Sequence, residues 1–438
     1  MELREPLAYY LSPIQRTELG EFPCDWRVVS LEELKPFVTS GSRGWAAFYS
    51  EIGSTFLRIT NLSRTRIYPS LDDLRYVSVP VGNNEGVRTA LKNGDVLISI
   101  TADIGIVGLV TSEIDLPAYI NQHIALVRFG GETVNSRYLA YFLAGARSQR
   151  RFKSMTDAGA KAGMNLAGVR SILAALPPTN DEQGAIAEAL TDADTLVDSL
   201  EKLLTKKRQL KQGAMQELLT GKRRLPGFQS QWENDVIGRV VVELIAGVSV
   251  NSETQESGIG IPSVVKTSAL KGGLFDAKEC KTIRQADLAR ATTQPRKDTL
   301  LISRMNTPDL VGEVGYVDQD YDWLYLPDRI WMTRMRSSSS VCVQWLAYLL
   351  SSPPYKRLIG DTATGTSGSM KNIAKSALLN IPVSYPTVPE QRAIAQVLSD
   401  MDTEIAAIEA RLAKARDLKQ AMAQALLTGR IRLMAPQA

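Results

Sequence analysis

The chain has 438 residues, 44% of them hydrophobic and 22% charged, and its 51 Lys and Arg against 47 Asp and Glu leave a formal net charge of +4. That length and apolar content support two or three packed domains and exclude wholesale disorder, while so mild a charge is by itself no mark of nucleic-acid binding. Cys24, Cys280 and Cys342 lie too far apart for a disulfide framework or a cysteine metal site, and no signal peptide or apolar run of about 18 residues is present, so the reading is a cytoplasmic protein with no membrane contact.

In chain order, the first landmark is an aromatic pair four residues apart, Phe22 and Trp26. Ser40-Gly41-Ser42-Arg43-Gly44-Trp45 reads as a flexible basic loop, and Arg58, Asn61, Arg64 and Arg66 follow at a strand and its turn. Short β-branched runs at 96–100 and 124–127, punctuated by Gly and Asn, predict strands, and a helix with an aromatic face is expected over 136–152. A long helix then runs from Glu182 to Thr220, entered after Pro177-Pro178 and closed by Gly221, which suits a left-handed C-terminal cap. The same succession returns: Phe228 and Trp232, a strand over 240–244, a helix over 341–358, prolines 386 and 389, and a second long helix ending at Gly429.

This return is an internal repeat, the strongest signal in the chain. Residues 182–225 and 390–433 align without a gap at an offset of 208, and 23 of the 44 positions are identical. Within the first copy Ile186, Leu190, Ala193, Val197, Leu200 and Leu204 recur at heptad steps; within the second Ile394, Leu398, Met401, Ile405, Ile408, Leu412 and Ala415 do so. Such seams pack knobs into holes, either against a neighbouring domain or, as the shared phase favours, against each other. A helix of 39 residues spans about 58 Å. Weaker echoes extend the repeat to the rest: Leu57-Arg58-Ile59-Thr60 answers Val265-Lys266-Thr267-Ser268, the run 95–99 answers 298–303, and 138–143 answers 345–350. The whole chain is therefore two copies of one plan, an α+β domain followed by a long helix.

Two motifs invite a catalytic reading and neither holds up. Ser352-Pro353-Pro354-Tyr355 fits the short loop with which amino-methyltransferases grip a flipped base, but no glycine-rich strand-to-helix turn for S-adenosylmethionine accompanies it, and Gly365-Thr366-Ser367-Gly368 follows no apolar strand. His123, the single histidine, has no nearby Cys or His with which to share a metal, and no phosphate-cradling G-x-x-x-x-G-K-[ST] loop occurs. No catalytic residue and no metal ligand is assigned. Lys202, Lys206, Lys207, Arg208, Lys211, Lys222, Arg223 and Arg224, opposed only by Glu201 and Glu217, form either a solvated helix face or a contact for phosphates or an acidic partner.

The run Thr17-Glu18-Leu19-Gly20-Glu21-Phe22-Pro23-Cys24-Asp25-Trp26, and the doubled sequence of a Pro-rich turn, Glu-Gln-x-x-Ile-Ala, a long helix and Leu-Leu-Thr-Gly, resemble the specificity subunit of type I restriction–modification enzymes over nearly the full length. The resemblance implies two similar mixed α/β target recognition domains, at 1–178 and 226–385, joined by two conserved helical regions, at 179–225 and 386–438, that pair as an antiparallel coiled coil with pseudo-two-fold symmetry. It further implies reading of a bipartite double-stranded DNA target without catalysis. Two modification subunits, which would hold the S-adenosylmethionine, and restriction subunits would be the partners, and this chain would hold no cofactor. A spacer of about 58 Å exceeds one turn of DNA, about 34–36 Å, and would act as a ruler. A coiled-coil scaffold that binds only protein is the alternative, disfavoured by the size of the two divergent globular parts. By residue type, Arg43, Arg58, Asn61, Arg64, Arg66, Asn251, Lys266, Thr267, Lys271, Arg304 and Asn306 are the candidate DNA contacts.

Overall fold

The computed structural model describes residues 13–41, 43–80, 82–130, 134–157, 163–253, 260–336, 341–365 and 370–433. They form two compact units: Met1–Glu201 with Ala410–Ala438, and Lys202–Glu409.

In the first unit, besides two small two-stranded sheets (Ile14–Thr17 with Gly20–Pro23, and Arg27–Ser30 with Leu173–Leu176), the strands are β1 (Phe37–Ser40), β2 (Tyr49–Ser50), β3 (Ser54–Leu57), β4 (Arg75–Val77), β5 (Val96–Ser99), β6 (Val107–Leu109), β7 (Ala118–Ile120) and β8 (Ile124–Arg128). They make two four-stranded sheets, ordered β1-β8-β5-β6 and β7-β3-β4-β2, with β7 parallel to β3 and the other pairs antiparallel. The first sheet is apolar on both faces, which is why its strands read as unbroken apolar runs rather than alternating ones. Val96, Ile98, Ala125 and Val127 face a core shared with the helices, whereas Leu97, Ile124 and Leu126 face Leu57, Ala118 and Ile120 of the second sheet. The aromatic helix expected over 136–152 is two helices, α1 (Ser136–Ala144) and α2 (Ala146–Asp157), broken at Gly145. Then comes α3 (Asn180–Leu218), whose bounds lie within two residues of those read from sequence.

The second unit repeats this plan with β9 (Val241–Ala246), β10 (Ser252–Glu253), β11 (Ser263–Val265), β12 (Leu270–Lys271), β13 (Gly273–Phe275), β14 (Cys280–Ile283), β15 (Thr299–Ser303), β16 (Val314–Val317), β17 (Leu324–Tyr325) and β18 (Ile330–Met335). Its sheets run β9-β18-β15-β16-β13-β12 and β17-β11-β14-β10, so the order matches strand for strand except for the added hairpin β12–β13. Here too the expected single helix is a pair, α4 (Val343–Ser351) and α5 (Pro353–Thr362). Pro353 starts the second member because a proline fits the first turn of a helix and not its interior. The last element is α6 (Val388–Leu426).

Each unit packs its own length of α3 against its own length of α6, in antiparallel sense. In the first unit Asp194 meets Lys419 and Glu201 meets Arg416; in the second Arg208 meets Glu409 and Lys211 meets Asp402. The seam residues Ile186, Leu190, Val197, Leu200, Leu204, Ile394, Leu398, Ile408 and Leu412 are buried, and Ile405 is half-buried.

The conserved-looking sequence pattern of the repeat now has a physical account. Ile186 and Ala187 enter the first unit's core and Ile394 and Ala395 the second's. Gln183 and Gln391 accept from the backbone N–H groups of Asn135 and Cys342 at 2.9 and 2.7 Å, pinning the starts of α1 and α4. Glu182 and Glu390 each hold an arginine that follows a Leu-Leu-Thr-Gly turn, Arg432 in the first unit and Arg224 in the second. Gly221 and Gly429 have φ of +70° and +68°, and a Cβ there would press on Trp232 and on Pro23 and Trp26 respectively, so both the left-handed backbone and the lack of a side chain are needed there.

Candidate nucleic-acid interface

The candidate contacts sit on the turns that leave the second sheet of each unit, on the loops that lead into it, and after the strand β15. The chain reaches these turns through two close approaches. A Cβ on Gly41 would overlap the carbonyl of Ile120, and one on Gly247 the carbonyl of Leu326. Beyond Gly41, the expected flexible loop is instead a 3-10 helix, Arg43–Phe48, because Trp45 drops into an aromatic cluster with Phe48, Phe56 and Tyr119. Arg43 stands exposed at its start; Ser42 lies outside the described residues.

Several candidates are held by the protein itself. Arg58 donates at 2.8 Å to both the carbonyl and a carboxylate oxygen of Asp73, which holds that carboxyl below its ordinary pKa. Asn61 is buried, accepts from the Arg58 N–H at 2.9 Å, and donates to the Ser70 and Asp73 carbonyls at 3.1 and 3.2 Å; it closes a turn rather than facing outward. Arg64 is tied to Asp103, Gln149 and the Ile104 carbonyl. It shares its turn with Thr65, whose carbonyl accepts from Lys419 of α6 at 3.1 Å, so this turn faces the helix pair. Arg66, in the same turn, is half-buried with no ion pair among the described residues.

In the second unit the exposed Asn251 donates its N–H to Asp287 at 2.7 Å, the foremost cause of that carboxyl's lowered pKa. Lys266 pairs with Glu279 at 3.4 Å; the Glu279 carboxyl is held down mainly by the Ser268 hydroxyl and then by Lys266. Thr267 begins a short 3-10 helix and is half-buried. Lys271 is exposed on β12 at the Gly272-Gly273 turn. Arg304 lays its guanidinium over the Trp331 ring at 5.7 Å, and Asn306 donates to the Ser303 hydroxyl at 3.3 Å in a short strand. Of the eleven candidates, then, Arg43, Arg66, Lys271 and Arg304 are cations without an ion pair among the described residues, and of these Arg304 lies against a tryptophan ring.

Two cations escaped the sequence reading. Arg75 on β4 lies opposite Phe56, and Lys281 on β14 lies opposite Val264, so they occupy matching register positions in the two second sheets. Both are exposed with no ion pair among the described residues. No motif marks either; only the strand register relates them.

The basic run 202–224 has a different destination from phosphate. Lys207, Arg208, Lys211 and Arg224 pair with Glu404, Glu409, Asp402 and Glu390 of α6 within the second unit, and Arg223 pairs with Glu217. The acidic partner is this chain's own helix. Lys202, Lys206 and Lys222 stay exposed.

The motif Ser352–Tyr355 is a helix junction. Ser352 is buried and donates to the Leu349 carbonyl at 2.6 Å, and Tyr355 packs partly buried against the second unit's core. Of the loop 365–368, residues Thr366, Ser367 and Gly368 lie outside the described residues. His123 is half-buried with its ring beside the Gln122 amide at 3.0 Å. Among the described residues no three His, Cys, Asp or Glu converge as a metal site, and no helix is long and apolar enough to cross a membrane.

A family model described as type I restriction modification DNA specificity domain matches this chain twice, over residues 50–212 and 241–415. The type I restriction enzyme MjaX specificity subunit of Methanocaldococcus jannaschii is 23% identical over 96% of both chains. The MjaVIII specificity subunit of the same organism is 26% identical over 48% of this chain and 49% of its own. Among solved structures, the S subunit of a type I restriction–modification system from M. genitalium superposes with a TM-score of 0.60 at 14% identity, covering 94% of this chain and 97% of that one.

Proposed function

This chain belongs to the type I restriction–modification DNA specificity family, and on that premise we propose that its two units read the two parts of an interrupted DNA target, held at a set spacing by the long helices. Its role is DNA sequence specificity, and it is a non-catalytic subunit that works with DNA and with methyltransferase and restriction subunits. The observation that carries the two-part reading is the repeated plan: one sheet topology twice, on a helical frame whose contacts recur at an offset of 208. Duplex DNA has a dyad of its own, so two like modules suit two half-sites.

Two sets of equivalent helical contacts support two modification subunits, on which the S-adenosylmethionine and the adenine chemistry reside, while this chain holds no cofactor and works in the cytoplasm. The recognition domains are residues 1–178 and 226–385, and the helical regions 179–225 and 386–438. Arg43, Arg66 and Lys271, with Arg75 and Lys281, carry no ion pair among the described residues and are the candidates to meet phosphate or base edges. A protein-only scaffold would have no use for matching cations on two divergent sheets.

Methylome sequencing tests this. Exchanging residues 27–175 for those of a relative changes one half of the methylated motif and leaves the other. Inserting four residues near Thr220 shifts one module by at most about 14 Å if extended or about 6 Å if helical. At about 3.4 Å per base pair the unread gap lengthens by one or a few bases while both half-sites keep their sequence. A swap that changes both halves, or an insertion that changes half-site bases, overturns the reading.

A further inference from the structure

One polar junction occurs twice, once in each unit. In the first unit Tyr141 of α1 donates its hydroxyl to one Asp194 oxygen at 2.7 Å, and the other Asp194 oxygen is paired with Lys419 of α6. Asp194 is buried, with its side chain 7% exposed. Thr191 of α3 lies 3.3 Å from the Tyr141 hydroxyl and 3.1 Å from that of Tyr68, and Lys419 also reaches the Thr65 carbonyl. In the second unit Tyr348 of α4 donates to one Asp402 oxygen at 2.8 Å, and Lys211 of α3 pairs with the other while sitting 5.3 Å over the Tyr348 ring. Asp402 and Lys211 are Asp194 and Lys419 displaced by 208.

Each carboxylate is therefore a three-way junction, joining one helix, its antiparallel neighbour and the aromatic helix of the recognition half. Burial and the adjacent carboxylate push both tyrosine hydroxyls above their ordinary pKa, so they stay protonated donors. A buried ion pair contributes little net stability over an apolar replacement, because desolvation offsets the attraction; its consequence is geometric, as with a polar residue that sets register in a coiled coil. The apolar contacts around it tolerate sliding and rolling, whereas two directional bonds to one carboxylate, one on each oxygen, do not.

We propose that Tyr141–Asp194–Lys419 and Tyr348–Asp402–Lys211 are positioning residues that set how each recognition half is seated on the helix pair and thereby how strictly the length of the unread gap is enforced. The inference rests on the two-half-site reading. It is tested with the full chain assembled with its modification subunits, by measuring methylation of duplexes whose gap is one base shorter than, equal to, or one base longer than the native one. The variants are Tyr141→Phe with Tyr348→Phe, which keeps the buried rings, and separately Lys419→Met with Lys211→Met, which keeps the aliphatic stems. Both are expected to lower the preference for the native gap roughly tenfold, about the factor carried by one hydrogen bond to a charged group, with the half-site bases unchanged. Variants that methylate the native duplex and discriminate gaps as sharply as the parent overturn the inference alone. A parent chain that methylates all three gaps alike overturns the two-half-site reading and this inference with it.

Discussion

The two units share a frame and differ at the surface it carries. At the frame, three ion pairs recur with the same residue types: Glu182–Arg432 with Glu390–Arg224, Asp194–Lys419 with Asp402–Lys211, and Glu201–Arg416 with Glu409–Arg208. At the second sheets the topology recurs but the side chains do not. The first unit builds Trp45, Phe56 and Tyr119 into a cluster, and the second packs Phe275, Tyr321 and Trp323 edge to face and adds a hairpin to its first sheet. Backbone pairing needs only alternating burial, so a sheet keeps its order while its outward residues change. A helix pair locked by directional charge contacts has no such freedom. The difference is what a common frame with two independent reading surfaces requires.

The equivalence of the frame contacts can be broken unequally, because burial differs. Arg432 is 6% exposed and also donates to Asp25 at 2.9 Å, whereas Arg224 is 26% exposed. Glu182→Ala should cost about 3 kcal/mol by urea unfolding, since it leaves a buried cation with only Asp25 as its charged partner, and Glu390→Ala distinctly less, since Arg224 can turn to water. Equal losses would mean that the two ends of the frame are more alike than their burial suggests. At the seam the opposite outcome is expected. Leu200 and Ile408 are one repeat apart and 5% and 7% exposed, so Leu200→Ala and Ile408→Ala should each cost about 2–4 kcal/mol and agree closely.

Smaller effects sharpen the comparison at the helix ends. Gly221→Ala should cost about 1–2 kcal/mol for the left-handed backbone, with Trp232 only 3.2 Å from the new methyl. Gly429→Ala should cost more by thermal unfolding, because the methyl would press into Pro23, held between strand and helix end. Smallest is an acid effect. Asp73, held below its ordinary value by Arg58, and Asp287, held down by the Asn251 N–H, contribute stability that is complete above the ordinary carboxylate pKa. That contribution is lost as pH falls through their depressed values. Asp73→Asn and Asp287→Asn should each flatten the acid limb of stability against pH, and an unchanged limb would remove these carboxylates from the account.

Much of this was legible in residue order, and the places where it was not share a cause. The heptad steps from Ile186 to Leu204 and from Ile394 to Leu412 carry the helices because a 3.5-residue period is a local property of the chain. The repeat at 208 disclosed two like units, since identical spacing must fold alike. The Leu-Leu-Thr-Gly turns were readable because only glycine takes a left-handed cap without strain.

Site residues were another matter. Arg58, Asn61 and Arg64 have the right chemistry for DNA, yet Asp73, Ser70 and Asp103 claim them. Those partners stand 9 to 39 positions away and meet them only through the fold. The basic run after Leu200 looked open to an outside anion until α6 brought Asp402, Glu404 and Glu409 beside it. Arg75 and Lys281 show the reverse, two unremarkable residues made equivalent by strand register. Residue order carried the two long helices, the repeat, the seam and the family, because each depends on spacing along the chain. The tertiary structure alone decided which charges are spent inside the protein and which remain for a partner, because a charge is satisfied by whatever lies within a few ångströms of it, however far away in sequence.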